Sequence, residues 1–390
     1  MPDDSGRHRY GRMKKILLVT SAYTGAGHQS ISDALEEQFS RMPDVEVKTI
    51  EGFDLLGGTG RMLSGLYGVM TRHAPGCYNL AWRLSMKKKH PPEFRMTARL
   101  GRRRFAGVIR EFHPDLILSV HSCFNALLTR MEDSLGLEIP VVVLQADVIN
   151  IHSTWCNPRA ALTICPTKEA YEASLLQGMP AEKMKIIGFP VRSRFCEAAR
   201  EKDPQEYTGS RPLRCLLIGG GEGTGSLRAY AESILRNTDA ELTIVCGRNS
   251  GLQRQLQKTL VPQYGGRAEV LGFVTAMEQE LLRHDLLVTR ASPNMMYEAV
   301  VMTVPLITIG AMPEQERDNP RLMEKYNLGV IGKTPEEIPQ IIRSLQRDDA
   351  SRFREIRAAQ RSLRRFGHAR EIAACVAGMI HEERPENNPR

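Results

Sequence analysis

Two glycine-rich turns in this 390-residue chain could bring backbone N–H groups close to a phosphate. The first, Tyr23-Thr24-Gly25-Ala26-Gly27-His28, ends in a histidine; the second is Gly219-Gly220-Gly221-Glu222-Gly223. An imidazole of ordinary pKa suits proton transfer near neutrality, so His28 is a candidate general base. Asp147, just after the apolar run Val141–Gln145, is a second candidate, either as a base or as a group that orients His28 or His152. His121 and His152 rank behind them and read more readily as structural. Neither turn is a P-loop, because Gly220-x4-Gly225-Ser226 lacks the lysine. Neither is a strict G-x-G-x-x-G, because Ser30 and Thr224 stand at the third position. Glu51 sits where a ribose-binding acid would, which keeps a nicotinamide or flavin enzyme as a minor alternative.

The elements around these turns alternate. KKILLVTSA at 14–22 reads as a buried strand, and 29–41 as a helix with Ile31, Ala34, Leu35 and Phe39 on one face. Val45–Ile50, Asp115–Val120, Val141–Gln145 and Lys185–Ile187 continue the strands, with a helix at Lys168–Gln177. The rhythm restarts at Leu213–Ile218, with further strands at Glu241–Cys246, Ala268–Leu271, Asp285–Thr289 and Leu306–Ile309. Such alternation implies parallel sheets covered by helices on both faces. The expected organisation is a flexible segment at 1–13, an N-terminal Rossmann-like domain at 14–199 and a polar linker at 200–212. A C-terminal Rossmann-like domain at 213–349, a helical segment at 350–382 and a disordered tail at 383–390 follow.

Composition narrows the class. A hydrophobic fraction of 42% and a charged fraction of 25% are those of a folded globular chain. The eight cysteines form no C-x-x-C pair, and there is no Asp-x-Asp, so no metal site and no cofactor are expected. The first residues are polar and basic, and no apolar run approaches a membrane span, which gives a cytoplasmic expectation. The net charge of +8 is concentrated: residues 83–110 hold ten Lys/Arg, among them Lys87, Lys88, Lys89, Arg102, Arg103 and Arg104, against the one acid Glu93. An apolar stretch containing Leu63, Leu66, Tyr67 and Trp82 precedes them. Apolar and aromatic residues beside a basic run suit an interfacial docking element on an anionic membrane. No nucleic-acid-binding module accompanies the charge, so nucleic acid is not an expected partner.

Short motifs in order along residues 14–345 resemble one family. Thr24-Gly25-Ala26-Gly27-His28 resembles its N-terminal glycine loop, and Ser119-Val120-His121 its strand end. Asp147 with His152 and Thr154-Trp155 resembles an Asp…His…Trp signature, and Gly188-Phe189-Pro190-Val191-Arg192 the close of its N-terminal half. Gly219–Gly223, Cys246-Gly247-Arg248-Asn249 and Gly272-Phe273-Val274 resemble the diphosphate loop, a Cys-Gly-x-Asn motif and the segment against a uracil ring. The family is that of the inverting monogalactosyldiacylglycerol synthases and processive diacylglycerol glucosyltransferases, relatives of the N-acetylglucosaminyltransferase of the lipid-linked cell-wall precursor.

The resemblance implies a GT-B fold: two Rossmann-like parallel-sheet domains facing a cleft, with a C-terminal helix packing across both. It implies a hexose moved from a UDP-sugar to a membrane lipid, most simply diacylglycerol, by an enzyme on the cytosolic face of the cell membrane. His28 and Asp147 would be catalytic. Gly25, Gly27, His121, His152 and Trp155 would bind the acceptor. Gly219, Gly220, Gly221, Glu222, Gly223, Arg248, Asn249, Phe273, Val274, Arg290, Glu298, Gln315 and Glu316 would bind the donor. Trp82, Lys87, Lys88, Lys89, Arg102, Arg103 and Arg104 would dock on the membrane. The chain departs from the family at Arg290-Ala291-Ser292-Pro293-Asn294-Met295, where a lysine, two glycines and a threonine are replaced, and at Glu314, which replaces a glycine. Three alternatives stay open: a UDP-N-acetylglucosamine transferase with a polyprenyl-linked acceptor, a nucleotide-sugar epimerase that would share the fold without an acceptor, and a non-catalytic binder, the last motivated by the departures at 290–295.

Overall fold

The computed structural model describes residues 12–23, 25–86, 93–201, 206–219, 227–310 and 314–380. Thr24, Lys87–Lys89, Gly220–Gly223 and the expected tail lie outside the described residues.

Two six-stranded, all-parallel sheets form. In the first, β1 (Lys14–Thr20) lies between β2 (Val45–Glu51) and β3 (Leu116–Ser119). Beyond β3 follow β4 (Val141–Leu144), β5 (Leu162–Cys165) and β6 (Met184–Ile186). In the second, β7 (Arg214–Ile218) is flanked on one side by β8 (Glu241–Val245) and then β9 (Ala268–Leu271). On its other side lie β10 (Leu286–Thr289), β11 (Leu306–Ile309) and β12 (Gly329–Gly332). The apolar strand runs fit sheets buried on both faces, as Leu216, Leu217, Leu287 and Val288 show at full burial.

Helices in the first half are α1 (Ala26–Phe39), α2 (Gly58–His73), α3 (Pro75–Met86), α4 (Glu93–Phe112), α5 (Ser122–Leu135) and α6 (Lys168–Leu176). Helix α4 shows why this segment is helical. Ala98, Phe105, Ile109 and Phe112 recur every three to seven residues and are buried, whereas Arg99, Arg102, Arg103 and Arg104 are exposed. The buried face packs with Phe124, Leu127, Leu128 and Met131 of α5 onto Leu17, Val19 and Ile117. Each such buried large side chain contributes about 1.5–3 kcal/mol.

The second half adds α7 (Ser193–Glu201), α8 (Leu227–Asn237), α9 (Ser250–Tyr264), α10 (Met277–Arg283), α11 (Pro293–Met302) and α12 (Asn319–Lys325). Two more helices close the chain: α13 (Ile338–Leu363), broken by non-helical backbone at 347–350, and α14 (His368–Gly378).

The described chain divides into two compact units. The first takes residues up to Ala146, His152–Pro190 and those from Gly367 onward; the second takes Asp147–Ile151 and Val191–Phe366. The described residues of the polar stretch at 200–212 therefore lie inside the second unit, and the chain changes unit at Pro190. The reason is visible at α7, which packs on α10 and α11. Just ahead of it Arg192 pairs with Glu298 at 2.6 Å, and within it Arg194 approaches Glu278 at 3.4 Å. The C-terminal helical segment is shared: α13 belongs to the second unit, whereas α14 belongs to the first and packs on α1.

Candidate functional site

In the first unit, β1 delivers the chain into the turn before α1. Gly25 adopts φ 122°, ψ 169° as the residue capping that helix. A Cβ there would meet no atom within 4 Å, so it is the backbone conformation and not crowding that asks for glycine. His28 follows in the first helical turn. Because β1 pairs with β3, Val120 lies beside the end of β1, and its carbonyl accepts a hydrogen bond from His28 Nδ1–H at 2.8 Å. A carbonyl cannot donate, so Nδ1 carries the proton and Nε2 carries the lone pair. Burial lowers the His28 pKa to about 4, against a smaller opposing effect of the Val120 bond. The ring is therefore neutral at neutral pH with its lone pair on Nε2, but it is a weaker base than the imidazole of ordinary pKa expected from the sequence, because burial disfavours the charged form.

An aromatic cluster surrounds it. The His121 ring lies 4.2 Å from His28 between centroids, and Trp155 lies 6.4 Å away. Phe53 and Phe124 pack on His121 at 5.9 and 5.0 Å. His121 is buried and caps α5, its Nδ1 accepting from Cys123 N–H at 3.2 Å. Burial, and then the neighbouring His28, hold its pKa well below the usual range.

His152 lies on the following loop and is a clasp. Its Nδ1 accepts from Thr154 N–H at 3.2 Å, so Nε2–H donates to Ser85 Oγ at 2.9 Å, and Ser85 donates to the Trp82 carbonyl at 2.8 Å. Trp82, expected at a membrane surface, has its ring 5.0 Å from His152. Burial lowers the His152 pKa. Sequence reasoning missed the residue that holds this loop. Buried Asn125 donates to the Thr154 carbonyl at 3.1 Å, accepts from Ser119 Oγ at 2.7 Å, and is met at its own carbonyl by Asn157. No spacing in the sequence marks it. Glu51 acts locally as well, its carboxylate accepting from the N–H groups of Ala22 and Phe53 at 2.7 and 3.1 Å. Asp147 is half-buried and belongs with the second unit.

The helices inserted between β2 and β3 leave large apolar side chains in the open. Met62 is 71% exposed on α2, Leu80 and Leu84 are 58% and 59% exposed on α3, and Leu100 is 51% exposed on α4. Arg102, Arg103 and Arg104 are exposed on α4. Among the described residues no helix is long and apolar enough to cross a membrane.

In the second unit, Gly219 is the described residue of the diphosphate-like loop. A Cβ there would fall 2.4 Å from the Leu227 side chain, so close packing on α8 also demands glycine. Arg248 lies 4.7 Å over the ring of Phe273, itself 55% exposed; Val274 follows it on the same loop. Asn249 caps α9, its side chain accepting from Leu252 N–H at 2.9 Å. Glu298 is buried and engaged by Arg192 at 2.6 Å. Burial raises its pKa, and Arg192 opposes this. Asn319 donates to the Ala291 carbonyl at 2.8 Å and so fixes the altered 290–295 stretch. Arg290 and Glu316 each keep a buried polar atom without a hydrogen-bond partner, Nε and Oε2. Burial pushes the Glu316 pKa to about 7, with the Arg290 charge opposing. Gln315 beside it is half-buried, and Glu314 is buried against Arg317. Among the described residues no group of three or more His, Cys, Asp or Glu is placed to hold a metal ion.

Comparison with known proteins gives a consistent result. Residues 28–191 match the family described as monogalactosyldiacylglycerol (MGDG) synthase, and residues 214–364 match the glycosyltransferase family 28 C-terminal domain. Monogalactosyldiacylglycerol synthase 1, chloroplastic, of Arabidopsis thaliana is 27% identical over 347 residues, covering 85% of this chain and 64% of that protein. A probable monogalactosyldiacylglycerol synthase 2, chloroplastic, of Oryza sativa subsp. japonica is 27% identical, covering 83% and 72%. The chain thus spans just under two thirds of the length of the first of these. Among solved structures, MurG of Acinetobacter baumannii has a TM-score of 0.63 at 14% identity, covering 94% of this chain and all of that one. MnaA of S. aureus with UDP has a TM-score of 0.61 at 14% identity, covering 97% and all of that chain. These likenesses show the GT-B fold.

Proposed function

We propose, for a chain that joins a monogalactosyldiacylglycerol synthase domain to a family 28 glycosyltransferase C-terminal domain, that it is an inverting glycosyltransferase. It moves a galactosyl or glucosyl group from a UDP-sugar to the hydroxyl of diacylglycerol. The observation that carries this reading is His28: a neutral imidazole with Nδ1–H tied to Val120, on the glycine turn of the synthase-like domain. Its Nε2 takes the acceptor hydroxyl proton as the oxygen forms a bond to the anomeric carbon and the bond to UDP breaks on the opposite side. Holding base, acceptor and donor in line supplies much of the rate. Asp147 is the second candidate for the base.

The departing diphosphate gains charge that fixed cations can stabilise. Arg290 and Arg248 are the described candidates. Phe273 and Val274 suit the base of the nucleotide, and Glu298 a ribose diol. Gln315 and Glu316 suit sugar hydroxyls, and the unpartnered Oε2 of Glu316 favours this assignment. The reading uses no metal or cofactor. Arg102, Arg103 and Arg104, with Met62, Leu80, Leu84 and Leu100, support peripheral docking on an anionic membrane, where the lipid acceptor resides.

The test is transfer from UDP-galactose and UDP-glucose to diacylglycerol in anionic vesicles. His28→Ala should lower kcat by about 10²–10⁴-fold. Unchanged turnover removes His28 as the base. No turnover by the unmutated chain, with either donor and several lipid acceptors, overturns the function. Calorimetry with UDP and a screen with UDP-N-acetylglucosamine then separate a binder or epimerase from a transferase of different specificity.

A further inference from the structure

We propose that His121 is a positioning residue for His28, packing on its ring so that Nδ1–H stays on the Val120 carbonyl, and leaving no room for a second charge beside it. The inference rests on the proposed role of His28. One dipeptide does both parts: the Val120 carbonyl accepts a hydrogen bond from Nδ1–H at 2.8 Å, and the His121 ring packs on the imidazole at 4.2 Å. His121 is itself locked. Phe53 and Phe124 pack on it, and its Nδ1 accepts from Cys123 N–H as the cap of α5. Protonating that nitrogen would break the cap, so His121 stays neutral with its proton on Nε2. Two imidazoles this close, His121 buried and His28 half-buried, resist a proton on either.

The other ionisable groups on the surrounding elements have partners of their own. Glu51 accepts from two backbone N–H groups. Asp54 accepts from Tyr23 and Arg61. His152 is held between Thr154 and Ser85. The burial that lowers both pKa values agrees with this packing.

The experiment follows the histidine ring signals by NMR during a pH titration of the full chain, with His28→Gln assigning His28. His121→Asn keeps a side-chain oxygen to cap α5 but removes the ring. His121→Phe keeps a ring but removes the cap. In His121→Asn the His28 midpoint should rise by about one unit or more toward 6.5. In His121→Phe the rise should be smaller, because the ring surface is retained. This readout needs no transfer activity, so it stands apart from the proposed function. Where transfer is measurable, His121→Asn should lower kcat about tenfold, shift the acid limb of the pH profile upward and leave the donor KM unchanged. An unmoved His28 midpoint in His121→Asn overturns the inference. So does an equal loss of kcat in both variants that follows their loss of thermal stability with no change in the pH profile.

Discussion

The two sheets are variations on one plan, and they differ at one edge. In both, the first strand of the unit is an interior strand, β1 in one and β7 in the other, and the chain crosses from one side of it to the other. In both, an aspartate just ahead of the neighbouring strand clamps the start of this first strand. Asp115 accepts from Lys15 N–H and Asp285 from Arg214 N–H, each at 2.9 Å. The second unit completes its edge with β9 beyond β8. The first has no counterpart beyond β2 among the described residues; its chain runs instead through α2, α3 and α4 before returning to β3. A strand at that edge would pair with its neighbour and end there. Three helices instead carry a surface of their own, with exposed Met62, Leu80, Leu84 and Leu100 beside exposed arginines. The shared part of the plan builds the strand ends that carry the proposed chemistry, and the part that differs carries the proposed docking surface.

The clamp offers the largest test of this likeness. Asp285 is buried and held by Arg211 and Arg214, at 2.6 and 3.0 Å. Burial, which would raise its pKa, is outweighed by these bonds, and the pKa is lowered. Asp115 pairs with Arg12, whose side chain is 62% exposed. Asp285→Ala should therefore cost about 3 kcal/mol, by leaving two guanidiniums and an N–H without their acceptor. Asp115→Ala should cost about 1–2 kcal/mol. Chemical denaturation measures both, and equal costs would mean that the two clamps are not graded by burial.

The difference at the edge gives the next effect. Reversing Arg102, Arg103 and Arg104 to glutamate should weaken binding to anionic vesicles by about a hundredfold at low salt, at ~1 kcal/mol per residue. UDP binding should be unchanged. A fall in UDP affinity would show that the substitutions disturb more than the surface.

The most gradual effect concerns acid. The first unit holds three histidines with lowered pKa, His28, His121 and His152, and the second holds His284. A buried histidine whose folded pKa lies below its unfolded value binds fewer protons when folded. Stability is then full above about 6.5 and falls as pH drops toward the folded value, about 4 for His28. Amide exchange should show the first unit opening before the second as pH is lowered through that window. Simultaneous opening would mean that the two units unfold as one.

Much of the fold was legible in the sequence because its signals are short-range. Apolar runs followed by glycine turns and amphipathic segments mark β1–α1 and β7–α8 without reference to anything distant. The change of unit at Pro190 was not legible. The polar stretch at 200–212 has the composition of a linker, but the ion pair between Arg192 and Glu298, 106 residues apart, keeps the chain ahead of it with the second unit. Asn249 was legible as part of a motif, whereas its observed role is to cap α9.

The sequence by itself determined two parallel α/β sheets, a histidine on a glycine turn and a basic segment at 83–110, since each depends on neighbours a few residues apart. Tertiary structure decided that Val120 and His121 meet His28, that His152 clasps α3 through Ser85, and that Asn125 holds the 152–157 loop. These contacts depend on which strands lie side by side. β1 pairs with β3 across 95 residues of intervening chain, and no local pattern encodes that order.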